Sequence, residues 1–163
     1  MSKWQTDTDT APLPALNPAS VKSIESVKND TGKGKVSHIV ANAIVAETAG
    51  AWAGTTVGQI EYTKGTWYNA PPINPIGFIP SGSVVSLVYW TYFLSYAVPG
   101  QLAVLCGSAR CVNISGLSQG NTSLFAGDSA NSVFTFYFGV RGTGPITLVV
   151  TSGQDQVIVN YHN

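Results

Sequence analysis

Leu105-Cys106-Gly107-Ser108-Ala109-Arg110-Cys111-Val112 places two cysteines on either side of a four-residue run, between two β-like segments. The arrangement reads as a disulfide across a tight hairpin. Antiparallel strands joined by so short a connection bring α-carbons within the roughly 7 Å that a disulfide requires. Half of a zinc site is a second reading, but no other cysteine pair exists and His38 and His162 are the only histidines. A four-ligand set is hard to assemble from them. Two free buried thiols are the third reading. A bonded pair implies an oxidising compartment such as the bacterial periplasm or the cell exterior. So small a ring stabilises by only about 2 kcal/mol in the chain-entropy model, so locking the register matters as much as global stability.

Working outward from the hairpin, Gly, Pro, Asn and Ser punctuate the chain after residue 50 and β-branched or aromatic runs lie between them, which is an all-β pattern. The expected strands are Gly58–Thr63, Ser83–Tyr96, Gln101–Cys106, Cys111–Ser115, Ser132–Gly139, Pro145–Thr151 and Gln156–Tyr161. In Ser132–Gly139, Phe134, Phe136 and Phe138 share one face, while Val133, Thr135 and Tyr137 share the other. Both faces can be covered, as in a sandwich. Gln156–Tyr161 puts Val157, Val159 and Tyr161 on one side and Gln156, Ile158 and Asn160 on the other, so its valines belong in the core. The expected fold is a single antiparallel β-sandwich over residues 50–163 with a disulfide-closed hairpin.

Residues 1–49 read differently. They hold Thr, Asp, Ser, Asn and Lys with Pro12, Pro14 and Pro18, and are expected to form a flexible arm, leader or added segment. Lys33 and Lys35 precede a weakly apolar run from Val36 to Ala46, and Ala49-Gly50-Ala51 has the small-x-small form of a signal-peptidase site. His38 and Asn42 interrupt that run, so the secretory pattern is partial.

The chain has 163 residues, eight basic against eight acidic, and 10% charged. That balance carries no electrostatic footprint for nucleic acid or for an anionic membrane surface. From Gly65 to Ala109 there is no charged side chain. Val84 to Val98 is strongly apolar, yet it is shorter than the roughly 20 residues a spanning helix needs and is rich in Val and aromatics, so a buried strand is favoured over a membrane span.

Enzymatic chemistry needs a nucleophile with a base, paired carboxylates or a metal. After residue 50 the inventory is Glu61, Asp128, Asp155 and His162. His162 lies beside the last residue and is expected to be solvated. Asp128, in Ala126-Gly127-Asp128-Ser129, is expected to bond the backbone of its own turn. Arg141-Gly142-Thr143-Gly144-Pro145 lacks the elements of a phosphate cradle and reads as a hairpin turn. No catalytic residue, metal site or cofactor is expected.

Recognition residues are better represented. Asn69 to Pro80 holds four prolines and cannot form a central strand; it is either a crossover between sheets or a docking surface anchored by Trp67, Tyr68 and Phe78. Arg110, held at the hairpin tip, is a further candidate for partner binding, or a plain exposed turn residue. Trp52, Trp67, Trp90, Tyr89 and Tyr92 offer an alternative of a different class, the sugar-stacking platform of a secreted carbohydrate-binding or adhesin-like module; alternation along Ser83–Tyr96 assigns several of them to the core.

Three pieces, in order and at similar spacing, carry a family resemblance: Ser81-Gly82-Ser83-Val84-Val85-Ser86-Leu87-Val88-Tyr89-Trp90-Thr91-Tyr92, then Leu105-Cys106-Gly107-Ser108-Ala109-Arg110-Cys111-Val112, then Gln156-Val157-Ile158-Val159-Asn160-Tyr161. With Gly50-Ala51-Trp52 before them, residues 50–163 resemble the flagellar protein FlhE family. The resemblance implies a periplasmic, β-rich protein without known enzymatic activity. It also implies partners among flagellar export-gate, rod or other flagellar proteins, and a role in limiting proton leakage through the export gate or misplaced assembly of subunits. Family members ordinarily begin with a compact signal peptide, from which residues 1–49 depart.

Overall fold

The computed structural model describes residues 49–163. The expectations for residues 1–48, including the run from Val36 to Ala46, lie outside the described residues.

Ten strands form the described chain: β1 (Ala49–Val57), β2 (Ile60–Thr63), β3 (Tyr68–Asn69), β4 (Val84–Thr91), β5 (Gln101–Cys106), β6 (Cys111–Asn113), β7 (Gln119–Thr122), β8 (Thr135–Val140), β9 (Pro145–Thr151) and β10 (Gln154–His162). One four-stranded sheet runs β1-β10-β4-β7 and a second runs β3-β8-β5-β6. A two-stranded ribbon, β2-β9, completes the fold. Every pairing is antiparallel. The all-β sandwich expected from the sequence is thus the observed architecture.

The core is built by period-two alternation. Phe134, Phe136 and Phe138 are each no more than 1% exposed and meet Val85, Val88, Trp90, Val157 and Val159 from the opposite sheet. Their rings lock one another: Phe125 stands edge-on to Phe134 at 5.2 Å, and Tyr92 edge-on to Phe138 at 5.4 Å. The chain-terminal β10 is central, flanked by β1 and β4. His162, expected to be solvated, is instead half-buried in that strand, opposite Val84 and Ala49.

Several strand boundaries differ from the sequence reading. Gly58 and Gln59 lie between two strands, because β1 ends at Val57 and β2 begins at Ile60. The strand expected over Ser83–Tyr96 stops at Thr91, where the chain leaves the sheet; Phe93 N donates to the Asp155 carboxylate and Leu94 bridges Ser152. Arg141–Pro145 is a connection rather than a hairpin, since β8 and β9 lie in different sheets. Ala49-Gly50-Ala51, which has the form of a cleavage site, opens β1 and pairs with Asn160–His162.

The proline-rich segment is a crossover from β3 in one sheet to β4 in the other. On its way Ala70 N donates to Phe136 O, and Ile73 exchanges both backbone bonds with Phe134. Ala70, Ile73 and Ile79 are buried beneath it, while Ile76 and Phe78 are exposed. The prolines sit where no ladder partner is required.

Candidate functional site

The hairpin tip is rigid for two reasons. Cys106 and Cys111 face each other across β5 and β6 and are joined by a disulfide, and Gly107 N donates to Arg110 O across the loop. Arg110 does not project freely. Its Nε–H and Nη2–H donate to the two carboxylate oxygens of Asp128, both at 2.8 Å. The two-point geometry fixes the guanidinium plane, although the Arg110 side chain remains 39% exposed against 9% for Asp128. Asp128 therefore does more than serve its own turn. Its N–H does bond locally, to Phe125 O, but its carbonyl accepts from Val85 N in β4 and its carboxylate ties the hairpin of one sheet to the edge of the other.

Behind the hairpin, the outer face of the β3-β8-β5-β6 sheet is covered by its own side chains. Val104, Cys106 and Cys111 are buried there under Trp67 and Tyr137, whose rings meet edge-on at 6.3 Å. Trp67 is a lid over the disulfide as much as a surface aromatic. Tyr68, its neighbour, turns the other way: its hydroxyl oxygen accepts from Tyr62 N at 3.1 Å and Thr63 N at 3.0 Å. That oxygen caps the exposed edge of β2 at the point where its pairing with β9 shifts register. Phe78 alone of the sequence candidates stands out, at 85% exposure. The structure thus joins Arg110 to Asp128 and Trp67 to the disulfide, and leaves Phe78 on the crossover.

The sugar platform loses three of its five members to the core, while Trp67 and Tyr89 stay partly exposed. Trp52 is 5% exposed and donates its indole N–H to Ala130 O; Trp90 is 2% exposed and donates to Leu117 O. Tyr92 is also buried, with its hydroxyl donating to Ile114 O, and burial pushes its pKa up to about 12.

Two features had no clear signal in the sequence. The first is a pair of buried carboxylic acids. Glu61 is wholly buried and faces Val150 in the ribbon, beside a satellite core of Val140, Ile146 and Val150. Burial raises its pKa to about 7, against a smaller lowering by the Gln101 amide, whose Nε2–H donates at 3.3 Å. Asp155 is likewise wholly buried and is raised to about 6 by burial, opposed by bonds from Phe93 N and the Ser152 hydroxyl. The second feature is a set of exposed apolar side chains on the ribbon, Ile60, Tyr62, Leu148 and Val149. A cleft of about 390 Å³ opens nearby, lined by Tyr92, Leu94, Tyr96, Val98 and Gln101.

Among the described residues no cluster of His, Cys, Asp and Glu is placed to hold a metal ion, and no helix is long and apolar enough to cross a membrane. Glu61 and Asp155 are buried, Arg110 and Asp128 are paired, and several large apolar side chains are exposed. Such a surface is suited to touching other proteins.

Comparison with known proteins agrees with the fold. The family model described as flagellar protein FlhE matches residues 58–162. Flagellar protein FlhE of Yersinia enterocolitica is 31% identical over 121 residues, covering 71% of this chain and 84% of the relative. The FlhE proteins of Salmonella typhimurium and Salmonella typhi are each 33% identical over 119 residues, covering 72% of this chain and 89% of theirs. A crystal structure of FlhE superposes with a TM-score of 0.64 at 31% identity, covering 69% of this chain and 96% of that one. The chain therefore belongs to the FlhE family of flagellar proteins.

Proposed function

We propose that this protein is a non-enzymatic periplasmic accessory of the flagellum that binds export-gate, rod or other flagellar proteins, and so limits proton leakage through the export apparatus or misplaced subunit assembly. The observation that carries this reading is the distribution of surface chemistry. Glu61 and Asp155 are buried and Arg110 is paired with Asp128, while Phe78, Ile76, Tyr62, Ile60, Leu148 and Val149 are exposed. Exposed apolar anchors on a rigid frame recognise protein surfaces, whereas catalysis requires convergent polar groups. The Cys106–Cys111 disulfide supports an oxidising address.

The test is site-directed photocrosslinking in flagellated cells, with the reactive group at Phe78, at Trp67 or at Arg110, beside deletion of the gene. Crosslinks to flagellar proteins at one of these positions, together with a motility or flagellar-placement defect on deletion, are expected. Normal motility and placement after deletion, with no flagellar protein crosslinked from any position, refutes the proposal. A glycan array supplies the contrast, since binding to sugar would favour the carbohydrate module instead.

A further inference from the structure

The fold guards its sheet edges unequally. β3 is two residues long and runs into Pro71 and Pro72; β6 is three residues long and is tied back by the disulfide; β7 has four residues. The ribbon's two edges are guarded as well: β2 by the Tyr68 hydroxyl, which accepts from both Tyr62 N and Thr63 N, and β9 by Pro145 at its start and at its end by Ser95, whose N donates to Thr151 O and whose hydroxyl oxygen accepts from Thr151 N. β1 has none of these protections. It is nine residues long, Ala49-Gly50-Ala51-Trp52-Ala53-Gly54-Thr55-Thr56-Val57, with no charge, no proline and no register shift against β10. Its far edge makes no backbone hydrogen bond among the described residues. Its outward side chains are Ala49, Ala51, Ala53, Thr55 and Val57, which leave a nearly flat strip. A long, flat, uncharged edge is a template for pairing with another strand.

We propose that the occupant of this edge is the β1 strand of a second copy of the chain, paired antiparallel about a two-fold axis at Ala53. Antiparallel pairing of identical strands is self-complementary, because residue and partner exchange places under the axis. Ala53 then faces the partner's Ala53, and Ala51 faces the partner's Thr55. The formal net charge is zero, so two copies approach without mutual repulsion. Area also supports a second copy. A nine-residue edge is about 30 Å long. The exposed Ile76 side chain, whose tip comes to 3.7 Å from a Cβ built on Gly54, carries the crossover up to the same edge, with Phe78 two residues on. Two such edges with both crossovers bury roughly 1,000 Å², the lower bound of a specific interface, so the dimer is weak and reversible.

Sedimentation of the full chain from micromolar to millimolar concentration reads the association directly and needs no variant. A monomer–dimer equilibrium is expected, and a monomer throughout overturns the proposal. Ala53→Lys and Ala53→Glu each set two like charges directly opposite across the axis, so each alone should be monomeric over the range in which the parent associates. An equimolar mixture of the two should recover the dimer, an outcome that misfolded variants do not give. Dimers that persist in either single variant, or a mixture that fails to recover while both variants unfold cooperatively, overturn the assignment. A parent that stays monomeric while a reactive group at Ala53 crosslinks to a different flagellar protein gives the edge to a heterologous strand instead. That outcome leaves the proposed function standing while removing the dimer.

Discussion

Raising the pH should weaken this protein through Glu61. The carboxyl is wholly buried in the ribbon, and burial lifts its pKa from 4.5 to about 7 while the Gln101 amide lowers it by less. In the unfolded chain the same group ionises near 4.5, so between these values the folded state holds a proton that the unfolded state has lost. Stability is then fully present below 4.5 and falls as the pH rises through 7. At about 1.4 kcal/mol for each pH unit separating the two pKa values, the loss is about 3 kcal/mol. Asp155 has the same sign: its pKa is raised from 3.8 to about 6, and its contribution disappears over that interval. Against a typical total of about 5–15 kcal/mol, the combined effect is large. The assay is urea unfolding at pH values from below 4.5 to above 7, for the parent and for Glu61→Gln. The parent should lose midpoint steadily across the interval, whereas Glu61→Gln, which keeps the shape without a charge to bury, should retain only the Asp155 part of the slope. A parent whose midpoint is flat over that range, or a variant with the parent's full slope, would refute the reasoning.

Three further outcomes are expected. Asp128→Ala, which leaves the Arg110 guanidinium without its two-point acceptor, should lower stability by about 1 kcal/mol at low salt because the pair is partly exposed; a double-mutant cycle with Arg110→Ala should show coupling, and strict additivity would deny the pair any energetic role. Reducing Cys106–Cys111 should cost about 2 kcal/mol and loosen the Trp67 lid, seen as a red shift of its fluorescence with Trp52 and Trp90 unchanged in the core; an identical spectrum and midpoint after reduction would count against the lid. Val159→Ala should cost on the order of 1–3 kcal/mol, and removing residues 154–163 should leave no cooperative transition, so a cooperatively folded truncation would contradict the central placement of β10.

What could be read from the sequence, and what could not, separates along packing. β8 and β10 were legible because large apolar side chains alternate with period two, and the hairpin was legible because two cysteines bracket a short loop. β1 and β7 carry the opposite pattern for a physical reason. A Cβ on Gly50 would strike the Tyr161 ring, and a Cβ on Gly120 would come within 2.9 Å of Trp90. Each of these strands passes beneath an aromatic side chain of a neighbouring strand and must be small there, so the residues that make it fit also remove its β signal. Glu61 and Asp155 were equally hidden, since an isolated acid in a strand ordinarily reads as a solvent-facing residue. Arg110 was singled out, but its partner lies 18 residues away, so the spacing alone could not connect them.

The same geometry ties the exposed surfaces to the frame beneath them. The ribbon that presents Ile60, Tyr62, Leu148 and Val149 is anchored on its inner side by Ile146 and Val150, by Glu61 at Gln101, and by Ser152 at Asp155. A charge appearing on either buried acid acts first on that anchoring, because no cation is hydrogen-bonded to either carboxylate among the described residues and each is held by neutral donors alone. The crossover that carries Ile76 and Phe78 is anchored differently, through Ala70 and Ile73 to β8 and through Thr56 Oγ1 donating to Pro71 O, with no titrating group in the linkage. The two apolar surfaces should therefore respond differently to pH. The protection factors of the β2–β9 amides, with intrinsic base-catalysed exchange divided out, should fall as the pH rises from 4.5 through 7, while those of Ala70 and Ile73 should hold until global unfolding. If both sets lose protection together well before the unfolding transition, the ribbon is not a separable unit and the division drawn between the two surfaces is wrong.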